Sequence, residues 1–93
     1  MNKQELIELL ADKEHDSWAR WQSYLFSRCP FTLEGDAIIP RELVQRWKRQ
    51  INTPYAELSE QEKQSDRNEV AHIVPLIDTY VSWLRKETND QTT

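Results

Sequence analysis

The 93-residue chain reads as an all-α protein, because it holds a single glycine and its apolar residues recur at three- and four-residue steps. A β-rich chain would need more turn glycines and more alternating β-branched runs. The expectation is about four helices around a Trp/Leu/Ile/Val core, in one domain over residues 1–93. One longer loop joins them, where a very short hairpin could form.

Asn2 with Glu5 has capping-box spacing, and Leu6, Ile7, Leu9 and Leu10 follow as an apolar stripe, which places a first helix near 3–13. Lys13-Glu14-His15-Asp16-Ser17 reads as a break and restart, with Asp16 or Ser17 as the next N-cap. Trp18, Trp21, Leu25 and Cys29 recur at helical spacing, with Tyr24 beside them. That second helix should end before Pro30, since a residue preceding proline avoids the helical region. Residues 30–39 hold the only glycine and form the main loop, with Glu34-Gly35-Asp36 as its turn. Pro40 suits the first turn of a third helix, in which Leu43, Trp47 and Ile51 stand at successive i+4 steps; Asn52-Thr53-Pro54 ends it.

Ser59 with Glu62 is a second capping box, opening what should be the longest helix. Val70, Ile73, Val74, Ile77, Tyr80, Val81 and Leu84 form its amphipathic stripe. Pro75 interrupts that stripe, and since an internal proline costs roughly 3 kcal/mol, a kink or break is expected there. The polar end should fray, with 88–93 a disordered tail.

Composition excludes several functions. Lys and Arg number 12 against 16 Asp and Glu, a net charge of −4, which argues against a polymeric nucleic-acid partner. No apolar run is long enough to span a membrane, and Met1-Asn2-Lys3-Gln4-Glu5 has no signal-peptide pattern, so a cytoplasmic location is expected. One cysteine and two histidines give neither an internal disulfide nor a zinc site, so no metal is expected. A single glycine rules out the glycine-rich loops that cradle phosphates, and no cofactor is implied.

No local signature of nucleophilic or paired-carboxylate catalysis is present, so the chain is read as non-enzymatic. Cys29 ends a tryptophan-rich stripe and is expected as a packed core thiol. His72 reads as a helix-edge residue, and His15 as a residue at a helix start whose ring Asp16 orients. Trp18, Trp21, Trp47 and Trp83 supply core area, unless one or two of them line a pocket and stack on a nucleobase, at about 1–3 kcal/mol per base.

The densest cluster is Pro54-Tyr55-Ala56-Glu57-Leu58-Ser59-Glu60-Gln61-Glu62-Lys63-Gln64-Ser65-Asp66-Arg67. Lys63 and Arg67 stand four apart, as do Glu62 and Asp66 on the neighbouring strip. This is either a solvated face on which Lys63 pairs with Asp66, or an anion site for Lys63 and Arg67 near a helix N-terminus.

This block, with His15-Asp16-Ser17-Trp18-Ala19 before it, resembles the ryanodine-receptor (RyR) domain, whose proline-tyrosine-x-x-leucine-x-x-x-x-lysine-x-x-aspartate-arginine pattern is matched at Pro54, Tyr55, Leu58, Lys63, Asp66 and Arg67. The resemblance covers roughly 15–80. It implies a small non-catalytic helical module, repeated in calcium-release channels and found singly in bacterial and phage proteins, with links to nucleotide signalling and antiviral conflict. The implied ligand is a nucleotide or nucleotide-derived signal, of the cyclic-nucleotide or ADP-ribose type. Trp18 and Tyr55 would stack on the base, and Lys63 and Arg67 would engage phosphate. Asp66 or Glu62 would accept from ribose hydroxyls or hold Arg67, and His15 would add a donor. In a phage protein the implied role is to sequester a host signal. The channel repeats work in tandem while this chain carries one copy, which suits a site built across a homodimer. The alternative is a protein-interaction module acting through a helical surface or as a homodimer, steered by the basic third helix with Arg41, Arg46, Lys48 and Arg49.

Overall fold

The structure is a computed structural model that describes residues 1–92. It is all-α: α1 (Lys3–Arg28), α2 (Arg41–Ile51), a 3₁₀ turn (Tyr55–Glu57), α3 (Glu60–Val70) and α4 (Val74–Thr92). Four α-helices were expected and four are found, but they are divided differently.

The first two expected helices are one. α1 begins at the predicted cap, where the Glu5 N–H donates to Asn2 Oδ1 at 2.8 Å, and runs unbroken through residues 13–17. With no Pro or Gly in the span, nothing forces a break. The Ser17 hydroxyl, which could otherwise compete for local backbone groups, donates instead to Glu69 Oε2 at 2.7 Å. Asp16 and Ser17 are therefore mid-helix residues rather than caps.

The long helix expected from Ser59 is two. Pro75 supplies no N–H, so the ladder stops at Val70 and the chain turns through residues 71–73 before α4 starts. The Ile73 N–H donates to the Val70 carbonyl at 2.8 Å, and the Ile73 carbonyl accepts from Leu76 and Ile77, so the proline lies in a first turn where its missing donor costs little. α1 is therefore the longest helix. α4 continues through Thr92 where a disordered tail is expected from residue 88; residue 93 lies outside the described residues.

The loop after Cys29 closes on itself. Phe31 and Ala37 form one isolated antiparallel bridge, and no strand occurs among the described residues. Thr32 holds the turn, accepting from Gly35 N–H at its carbonyl and from Asp36 N–H at its hydroxyl. Gly35 has φ +94°, a conformation that an L side chain resists. α2 starts directly after Pro40, which stands at the N-cap and not within the first turn. Asn52 and Thr53 cap its far end by donating to the carbonyls of Lys48 and Arg49 at 2.8 and 2.6 Å.

The chain divides into two compact units. One comprises Met1–Ser17 with the described residues from Asp66 onward; the other is Trp18–Ser65. The boundary falls inside both α1 and α3.

In the first unit Leu6 and Leu10 of α1, and Leu76, Tyr80 and Trp83 of α4, are half-buried. Tyr80 and Trp83 stack at 6.0 Å between ring centroids. In the second unit Leu43 and Cys29 are buried, the latter as the free, packed thiol expected. They are the only buried apolar side chains among the described residues, and the other apolar residues that pack are half-buried. Trp18 and Trp21 are exposed, and Trp47 and Trp83 are half-buried. Among the described residues no helix is long and apolar enough to cross a membrane.

Candidate functional site

The Pro54–Arg67 block begins as a local folding device. Pro54, with φ −59°, precedes the 3₁₀ turn, and Leu58 leaves that turn half-buried in an extended conformation. Ser59 and Glu62 then form the predicted capping box in full: the Ser59 hydroxyl accepts from Glu62 N–H at 3.2 Å, and Glu62 Oε1 accepts from Ser59 N–H at 3.2 Å. The hydroxyl also donates to Glu62 Oε1 at 2.8 Å.

Arg49, in the last turn of α2, completes the arrangement. Its guanidinium grips Glu62 with two bonds, of 2.9 Å to Oε2 and 3.4 Å to Oε1. Arg49 and then the Ser59 hydroxyl hold the Glu62 carboxyl well below its ordinary value, down to about 2. Glu62 is thus charged and already matched by a cation. Its role is to cap α3 and tie it to α2, and a ribose hydroxyl would have to compete for it. Sequence reasoning missed Arg49 here; the signal available was a basic last turn on one helix joined by a short loop to an acidic first turn on the next.

The structure brings Tyr55 and Lys63 together. The Lys63 ammonium lies 5.9 Å from the centroid of the Tyr55 ring, within cation–π range. Tyr55 is 49% exposed, so the ring keeps an open surface while the lysine stem packs down. Lys63 also pairs with Glu60 Oε1 at 3.7 Å, one turn back. Trp18, in the same unit, is 57% exposed and presents a second aromatic surface.

Three expected site residues, His15, Asp66 and Arg67, belong to the other unit, and all three are exposed. His15 lies within α1 rather than at a helix start, and His72 lies in the turn between α3 and α4. Among the described residues no three His, Cys, Asp or Glu side chains converge as a metal site.

The second unit also carries an aromatic ridge that the sequence assigned to core. Trp21 meets Trp47 edge-on at 5.1 Å and stacks with Tyr24 at 5.8 Å, and Arg46 donates to the Tyr24 hydroxyl at 3.4 Å. Trp21 and Tyr24 are nonetheless exposed. No protein family, curated protein or solved structure matches the chain.

Proposed function

We propose that the chain is a non-catalytic module that binds a nucleotide or nucleotide-derived signalling molecule, of the cyclic-nucleotide or ADP-ribose type. The observation that carries this reading is the Tyr55–Lys63 pair, an open aromatic face with a cation held at it. A planar base stacks on such a face, and an ammonium within reach of the ring takes the phosphate. The Glu60 contact competes weakly: Glu60 is 78% exposed, and solvent-exposed pairs of this kind contribute about 0–1 kcal/mol. Trp18 offers a further surface for stacking. The likeness of the Pro54–Arg67 block to RyR domains supports the same assignment. A module that binds without turnover acts by holding its ligand, and so sequesters it when present in excess.

The test is a thermal-shift screen against mono-, di- and cyclic nucleotides and ADP-ribose derivatives, followed by calorimetry on any hit. A ligand at 100 times its Kd adds about 2.7 kcal/mol of stability, a shift of many degrees in a chain this small. Lys63→Ala and Tyr55→Ala should keep the helical spectrum and lose the shift. A cooperative melt that no compound moves would sink the proposal.

The Trp21–Tyr24–Trp47 ridge favours a second reading, a protein-interaction module. Exposed aromatics beside Arg46 are the composition of an interface anchor. Under that reading Trp21→Ala breaks a complex and Lys63→Ala does not.

A further inference from the structure

α4 carries two apolar stripes, and the fold uses only one. Leu76, Tyr80 and Trp83 are half-buried. One residue further on, and so about 100° around the helix, Val74, Ile77, Val81 and Leu84 are 45%, 48%, 38% and 41% exposed. Their steps of three, four and three make a heptad seam, with Val74 and Val81 at a and Ile77 and Leu84 at d. Thr88 takes the next a position, and its hydroxyl is already satisfied by donating to the Leu84 carbonyl at 3.0 Å, which leaves its methyl for packing. An open groove of about 360 Å³, lined by Val81, Leu84, Arg85, Thr88 and Asn89, runs along this part of the seam.

We propose that the α4 seam docks against the same seam of a second copy of this chain, antiparallel, with Asp78 of each copy facing Arg85 of the other. The flanking charges choose both partner and direction. Asp78 and Arg85 occupy e positions one heptad apart, are exposed, and have no ion-pair partner within the chain among the described residues. In an antiparallel pair e positions face e positions, so the register that sets Asp78 of each copy beside Arg85 of the other satisfies both charges twice. That register also sets Val81 against Leu84 and Ile77 against Thr88, so each copy fills the groove of the other. Sliding by one heptad to set Ile77 against Val81 brings Asp78 onto its own equivalent, and like charges oppose it. In a parallel pair e positions face g positions, and the Asp78–Arg85 match is lost. A second copy is the one partner certain to carry the complementary pattern, and the contact is isologous, so it closes at two. The proposal uses none of the residues assigned to ligand binding.

The test is sedimentation velocity with light scattering on the full chain, from about 1 µM to about 500 µM, a range that brackets the affinity of a short helical interface. The expected result is a concentration-dependent dimer. Leu84→Glu should give a monomer with an unchanged circular-dichroism spectrum, since Leu84 is exposed and its loss leaves the packed stripe intact. Asp78→Arg alone should weaken the dimer about tenfold by setting two cations together, and Asp78→Arg with Arg85→Asp should restore it. A chain that stays monomeric throughout overturns the proposal. So does a dimer indifferent to Leu84→Glu. A dimer broken by Leu84→Glu yet unaffected by charge reversal overturns the antiparallel arrangement.

Discussion

Ser59→Ala isolates what the α3 cap contributes. The substitution removes the acceptor for the Glu62 N–H and the donor to Glu62 Oε1, but leaves the Arg49–Glu62 bonds and the Ser59 N–H bond in place. The loss is therefore that of an N-cap side chain, about 1 kcal/mol within a usual span of about 0.5–2. For a chain of this length each kcal/mol moves the melting midpoint by roughly 4–8 °C, so the midpoint should fall by about that much. Urea unfolding followed by far-ultraviolet circular dichroism reads the change as a lower midpoint at constant m value. Ser59→Thr keeps a hydroxyl and should recover most of the loss. Ser65→Ala, on an exposed face of the same helix, should stay within about 0.5 kcal/mol of the parent. If Ser59→Ala is no less stable than Ser65→Ala, the reciprocal cap does not hold α3 and the account of this block fails.

The depressed Glu62 carboxyl fixes a pH window. Its pKa falls from 4.5 when unfolded to about 2 when folded, so the unfolded state binds more protons between those values. Stability should thus be lost as pH drops from 4.5 towards 2, and titrating the urea midpoint of Glu62→Gln beside the parent should show a shallower acid limb in the variant. Leu43→Ala removes a side chain only 4% exposed and should cost about 2–5 kcal/mol, enough to erase cooperative unfolding of the second unit; a cost under about 1 kcal/mol would show that Leu43 is not its packing centre. Gly35→Ala meets no atom within 4 Å of the new Cβ, so its cost is backbone strain alone, about 1–2 kcal/mol, read from the same unfolding curves.

Caps and breakers were legible in the sequence where the chemistry is local. Asn2, Ser59 with Glu62, and Pro75 each act within a turn of their own position, and each does what its spacing predicts. The false break at residues 13–17 has the opposite cause. Asp16 and Ser17 have capping chemistry, but a cap needs a chain that turns away, and the Ser17 hydroxyl finds its partner at Glu69, 52 residues on. The apolar stripes were visible too. Which of two neighbouring stripes on α4 is used was not, because a period of 3.6 residues marks a wide apolar face without saying how much of it the rest of the fold covers. The same limit made Trp18 and Trp21 look like core.

Glu62 shows how to separate folding from function inside the Pro54–Arg67 block. Several of its residues are accounted for by local structure. Pro54 sets up the 3₁₀ turn, Leu58 packs, and Ser59 and Glu62 cap α3 while Arg49 neutralises the carboxylate. A chain with no ligand at all would still gain stability from these residues. Folding does not require a tyrosine ring left 49% exposed, nor a lysine whose ammonium stays at that ring rather than in open water. Within the second unit, those two side chains are the part of the block that local structure leaves unexplained. Any ligand-binding reading must stand or fall on them, and a Lys63→Ala variant that folds normally and still binds would remove its foundation.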